Sequence, residues 1–283
     1  MRVMLIVSIC GMLLTRCSVK DVEHDNGSPE ANFSQYSAVV EDSFQIRVQL
    51  PLQYFERPDE KFTTVVLLDG NFFYPMLSPV LHQYEVTGLL KPVILVSIGY
   101  DSFSAMDSLR VRDYLFPEAL PSDELVSIGG GQRFFRFIEE ELLPKIDKEY
   151  RTKEFSRCLL GHSFGGYFVL YSLLHQLEES KNTFTTFVAA SPTLWYNEFY
   201  LSKLPMALSK NSSDSINIFM TVGALEDSVW SVRPLKNLAA GIQKLPENVY
   251  LEPRIYNHLE HMDVGMVSFV KGLQQFLNVA ENE

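Results

Sequence analysis

Residues 157–177, RCLLGHSFGGYFVLYSLLHQL, decide how this chain folds. Arg157 to Leu160 (RCLL) reads as a short strand, and Tyr167 to Leu177 is apolar nearly all round, as a buried helix is. Between them Gly161-His162-Ser163-Phe164-Gly165-Gly166 matches G-x-S-x-G. A serine at a sharp strand-to-helix turn is held in strained backbone geometry, with its hydroxyl exposed above the sheet. Glycines flank it because strand and helix approach too closely there for side chains. The helix that follows aims the positive end of its dipole at charge developing near the serine. Ser163 is read as a nucleophile.

Working outward, the same strand-then-helix rhythm continues. Gln45 to Leu50 (QIRVQL) alternates polar and apolar, as a half-exposed strand does. Phe62 to Leu68 and Val93 to Ile98 are short, β-branched and nearly all apolar, which suits strands of a parallel sheet covered on both faces. Phe184 to Ala190, Ile216 to Val222 and Val249 to Ile255 continue the series. Phe134, Ile138, Leu142, Ile146 and Tyr150 form one apolar helical stripe, which Pro144 should kink or break. Leu235 to Leu245 and Val264 to Leu277 read as amphipathic helices, while 72–90, 100–130 and 195–215 read as loops. Alternation of this kind predicts an α/β fold, a mostly parallel central sheet with helices on both faces.

The 283 residues are 46% hydrophobic and 21% charged, which suits a single globular domain with a large core. A formal charge of −11, with no Lys/Arg cluster, argues against a nucleic-acid partner. No His/Asp/Glu cluster has metal-ligand spacing such as H-E-x-x-H, so neither metal nor cofactor is expected. Met1-Arg2 followed by the apolar run Val3 to Leu14 reads as an export signal over residues 1–17, too short to span a bilayer. Cys17 sits where a lipid-modified bacterial cysteine would sit, although Arg16 before it fits such a site poorly. The expected location is the periplasm or cell envelope of a bacterium, with a possible lipid anchor through Cys17. Residues 18–32 are polar with Asn-Gly and Ser-Pro turn signals and read as a flexible tether, leaving 33–279 as the catalytic domain. Three cysteines make no disulfide framework.

A serine hydroxyl needs a base, and the chain order for this kind of site is Ser, acid, His. Beyond Ser163 stand His175, inside the helix after the nucleophile, and His258 and His261, both after the last strand pattern. His261, in Glu260-His261-Met262-Asp263 just before the final helix, is favoured over His258. The acid is expected in Gly223-Ala224-Leu225-Glu226-Asp227, with Glu226 favoured and Asp227 the alternative. The oxyanion of a tetrahedral intermediate needs two preorganised N–H donors. Phe164 supplies one through its backbone, and Asn71, in Leu68-Asp69-Gly70-Asn71, is the candidate for the other.

Taken together these residues resemble the putative-esterase family of α/β-hydrolases, over nearly all of residues 35–275. That group includes siderophore (enterobactin-type) esterases, esterase D and the mycolyltransferases. LLDGN at 67–71 looks like the family's oxyanion turn, Arg112-Asp113-Tyr114 with Pro117 like its R-D-Y/L-x-P loop, and LLGHSFGG at 159–166 like its elbow. Ala190 to Trp195 (ASPTLW) resembles its S-P-S-x-W segment. The final loop departs from the family's Gly-Glu-x-His pattern, which leaves the choice of histidine open. Some siderophore esterases work with a Ser–His dyad, which leaves the share of Glu226 open as well. The sequence looks most like the periplasmic siderophore-esterase branch.

The resemblance implies hydrolysis of small acylated molecules, siderophore-type or acyl-sugar esters, through an acyl-enzyme on Ser163. Arg112 is a candidate for an anionic substrate group, or else pairs with Asp113. Trp195 and Phe72, with Tyr100, Phe103 and Trp230, are candidates to stack on substrate rings. Acyl transfer to an alcohol and a non-catalytic binding role on a hydrolase scaffold are the alternatives.

Overall fold

Short β-branched runs do become the strands of one sheet. The computed structural model describes residues 30–210, 215–243 and 248–278. Its strands are β1 (Glu30–Ser37), β2 (Asp42–Gln49), β3 (Phe62–Leu67), β4 (Val93–Gly99), β5 (Thr152–His162), β6 (Thr186–Ala190), β7 (Ile216–Gly223) and β8 (Val249–Tyr256). They lie in the order β1-β2-β4-β3-β5-β6-β7-β8. The β1 and β2 pairings are antiparallel, and every pairing from β4 through β8 is parallel. This is the α/β-hydrolase fold.

The helices are α1 (Gly70–Val86), α2 (Phe103–Tyr114), α3 (Gly131–Arg136), α4 (Leu143–Glu149), α5 (Phe164–Glu178), the single turns α6 (Tyr196–Phe199) and α7 (Leu204–Leu208), α8 (Arg233–Ile242) and α9 (Val264–Leu277). Successive residues of β3 point to opposite faces. Val65 and Leu67 meet α1 and α9, whereas Val66 and Leu68 belong to the larger core under α2 to α5, α7 and α8. Both faces are therefore covered, as a parallel sheet requires.

Four stretches differ from the sequence reading. Residues 72–90, expected as loop, are largely α1, although Pro75 and Pro79 lie inside it. An interior proline costs a helix about 3 kcal/mol. Each of Phe73, Tyr74, Leu77 and Leu81 is buried, and a fully buried large apolar side chain returns about 1.5–3 kcal/mol. The packed face offsets the prolines. The 100–130 and 195–215 segments also hold α2, α6 and α7. In the 134–150 stripe the break expected at Pro144 is a π-helical turn, Phe137–Leu142, between α3 and α4. The wider turn takes up the missing N–H, and Pro144 then falls in the first turn of α4, where no donor is needed.

The tether expected over 18–32 ends earlier than its sequence suggests. Glu30, Ala31 and Asn32 already pair with Gln49, Val48 and Arg47 of β2, and Ala31 and Phe33 pack against the core. Strand pairing captures polar residues that carry no apolar signal of their own. The leader read at 1–17, Cys17 and the rest of the tether lie outside the described residues.

Candidate active site

Ser163, Ser191, Glu226 and His261 follow the C-terminal ends of β5, β6, β7 and β8, the side of an open α/β sheet where ligands bind. Ser163 has φ 61° and ψ −119°, outside the regions ordinary residues prefer, and its N–H donates to Ala190 O at 3.0 Å. The glycines fit the approach of strand to helix. A Cβ on Gly161 would stand 2.3 Å from Gly165 O, and one on Gly166 would stand 2.7 Å from Ala190 O. Phe164 is the first residue of α5, so its N–H belongs to the first turn, where helical donors have no partner in their own helix.

The two carboxylates of the β7 loop separate cleanly. Glu226 Oε2 accepts from His261 Nδ1 at 2.8 Å, while its Oε1 accepts from Gly223 N–H at 2.8 Å and Ser191 Oγ–H at 2.5 Å. A carboxylate only accepts, so Nδ1 carries the proton and Nε2 is left as the basic nitrogen. Burial of Glu226 works to raise its pKa, but hydrogen bonds from His261, Ser191 and Gly223 outweigh it and hold the carboxyl below its usual range. Asp227 instead caps the turn Ser228–Val232, accepting from Val229 and Trp230 N–H at 2.7 and 2.8 Å. His258 is exposed, in a left-handed turn at φ 64°, and His175 is buried between Phe135 and Tyr171.

Ser163, Phe164, Thr193, Trp195, Glu226 and His261 line one open cleft of about 420 Å³. Phe72 is not among its lining residues; its ring packs against Phe73 and Phe103. Asn71 lies in the first turn of α1, its side chain bonded to Tyr100 O and N at 2.8 and 2.7 Å. The turn before it reaches the elbow, since a Cβ on Gly165 would lie 3.1 Å from Asp69 Oδ2.

Arg112 is not brought to this cleft. It binds Asp113 through Nε and Nη2 and Asp42 through Nη1, joining α2 to β2. Arg110 is the one that reaches the elbow: it grips Asp69 with two bonds of 2.9 and 2.8 Å, donates to His162 O at 3.1 Å, and lies over the Phe164 ring. Residues two apart on a helix point roughly 200° away from each other, so only one of the two arginines can face the elbow.

His162, the variable residue inside the motif, went unread in the sequence. It is 3% exposed, and its Nε2–H donates to the backbone carbonyl of His261 at 2.8 Å, with the two rings 4.6 Å apart. Burial, then the neighbouring His261, lowers its pKa from 6.5 to about 4. An unfolded-chain histidine takes up its proton below about 6.5, so between 6.5 and 4 the unfolded state binds more protons. Stability should therefore be lost as pH falls through that window, by on the order of 3 kcal/mol from this group. Urea titrations at pH 7.5, 5.5 and 4.5 should show a steeper fall for the native chain than for His162→Gln. Parallel curves would remove His162 as the cause.

A family model described as Putative esterase matches residues 37–257. The chain belongs to that family. Among curated relatives of this esterase-family chain, the ferri-bacillibactin esterase BesA of Bacillus subtilis is 34% identical over 183 residues, 60% of this chain and 62% of that one. The siderophore enterobactin esterase of Emericella nidulans is 30% identical over 173 residues, 54% of each chain. These matches span about half to three fifths of the relatives' own lengths. The BES protein from Bacillus cereus superposes with a TM-score of 0.77 at 26% identity, over 87% of this chain and 94% of that one. An IroE-like serine hydrolase from Shewanella oneidensis, 23% identical with a TM-score of 0.75 over 88% and 80% of the two chains, shares the fold.

Proposed function

We propose that this chain hydrolyses carboxylic esters of small acylated molecules, siderophore-type esters first, through an acyl-enzyme on Ser163. The observation that carries the reading is the buried Glu226 carboxylate bonded to His261 Nδ1, at a cleft that the strained Ser163 also lines. With Nδ1 protonated, Nε2 takes the Ser163 proton as Oγ attacks the ester carbonyl. The Phe164 and Asn71 N–H groups, each in the first turn of a helix, stabilise the oxyanion. The intermediate collapses, Nε2 returns the proton to the departing alcohol, and water admitted to the same base then releases the acid. The transfer needs Ser163 Oγ and His261 Nε2 to come within hydrogen-bond distance once substrate fills the cleft, as such contacts often tighten only in the complex.

The names of the relatives support siderophore esters as the class. The export leader read at 1–17, with Cys17 as its possible anchoring point, belongs to the same reading and sets the reaction in the bacterial envelope. The deciding experiment incubates purified protein with a cyclic catecholate siderophore, iron-free and ferric, and with aryl esters of graded chain length, alongside a fluorophosphonate probe. Linear siderophore fragments and a label on Ser163 are the expected result. An unlabelled serine in folded protein would leave only a binding role. Added alcohol that diverts the acyl group from water would favour the transferase alternative.

A further inference from the structure

Beside the Ser163 cleft lies a second cavity of about 440 Å³, within the range of small-molecule sites. The two share their walls. Leu194 faces this cavity and Trp195 the cleft, while on the other side Val229 and Arg233 belong to the cavity and Asp227 and Ser231 to the cleft.

The walls are flat and apolar: Leu194, Phe199, Leu201, Pro205, Val229 and Leu238. Phe199 is held there against backbone preference. Asn197, Glu198 and Phe199 have φ of 48°, 51° and 62°, three consecutive left-handed residues that all carry a Cβ. That conformation is disfavoured for L-residues, least so for Asn, and three in a row persist only where the surroundings enforce it. Here the Asn197 N–H donates to Asp123 Oδ1 at 2.9 Å and its Nδ2 to Glu118 O at 2.8 Å. Phe199 thereby lies parallel to Trp230, 8° between planes and 6.3 Å between centroids, with both rings exposed. Such strain gathers at ligand sites.

The polar lining is one-sided. Arg233, Asn237 and Ser202 supply donors, and no Asp or Glu lines the cavity. Among the described residues Arg233 has no ion-pair partner, in a chain whose net charge is −11. An unpaired cation beside flat apolar walls selects a flat anion.

We propose that this cavity binds an aromatic carboxylate, either as a free acid or as the acidic aryl part of the ester that Ser163 cleaves. The second half rests on the esterase reading; the first does not. The test separates them. Salicylate titrated calorimetrically into the full chain should bind saturably, with benzyl alcohol and hexanoate each about tenfold weaker or more. Arg233→Gln should weaken salicylate about tenfold, one charge-assisted contact, and Phe199→Ala should abolish the preference for salicylate over hexanoate. Equal salicylate affinity in the native chain and Arg233→Gln, or hexanoate matching salicylate in the native chain, would overturn the site. For the ester half, a p-nitrophenyl benzoate bearing a ring carboxylate should be cleaved about tenfold better than its uncharged parent, and Arg233→Gln should erase the gap. If no ester is cleaved while salicylate still binds through Arg233, the esterase reading fails and the cavity stands. If esters are cleaved with no carboxylate preference, the cavity plays no part in the reaction.

Discussion

Ser163→Ala should leave the fold intact and lower ester turnover by more than about a thousandfold. The fold is indifferent because what holds the elbow is backbone: Ser163 N–H to Ala190 O, and Ser163 O accepting from Tyr167 N–H at 2.9 Å and Thr193 N–H at 3.3 Å. Alanine keeps these bonds and tolerates the same turn geometry about as well as serine. Turnover is expected to collapse because the hydroxyl proposed to carry the acyl group is gone, although the helix N-termini and the cleft remain to bind and polarise an ester. Melting temperature and single-turnover kinetics on a p-nitrophenyl ester measure the two halves separately. Retained turnover in a homogeneous, folded variant would move the nucleophile elsewhere.

Glu226→Gln should cost roughly 10³–10⁴-fold in kcat with little change in KM, an effect of tautomer rather than of shape. Three donors converge on this carboxylate: Gly223 N–H, Ser191 Oγ–H and His261 Nδ1–H. The backbone N–H of Gly223 cannot turn away, so the single oxygen of a glutamine stays on that side. Its NH₂ then faces His261 and donates to Nδ1, which drives the imidazole proton onto Nε2. A ring protonated at Nε2 cannot take a proton from Ser163. Asp227→Asn makes the contrast, since asparagine caps a helical turn about as well as aspartate and kcat should change less than about threefold. Steady-state kinetics on both variants decide it. Equal losses would return the acid to the open choice between neighbours that the sequence leaves.

Much of this was legible before any coordinates. The strands at 62–68, 93–98, 157–160, 184–190 and 216–222 announce themselves because a strand covered on both faces must be short and apolar, while 45–50 shows the alternation of a half-exposed strand. The elbow is likewise local: G-x-S-x-G between strand and helix carries its own geometric demand. Chain order in this fold also directs the reading to the β7 loop and to the segment just before α9, the two places that the Glu226–His261 hydrogen bond joins.

Tertiary structure decided the rest. The Glu226–His261 bond joins residues 35 apart, and the His162–His261 bond spans 99, so loop conformation rather than composition separates Glu226 from Asp227 and gives His162 its partner. Arg110 and Arg112 are chemically equivalent on paper; the phase of α2 against the sheet sends one to the elbow and the other to Asp42 and Asp113. Packing overrode Pro75 and Pro79 in α1, and pairing with β2 captured Glu30 to Asn32 from a stretch that reads as tether. Patterns report what a segment can bury. Which side chains meet is fixed only when the segments are set against one another.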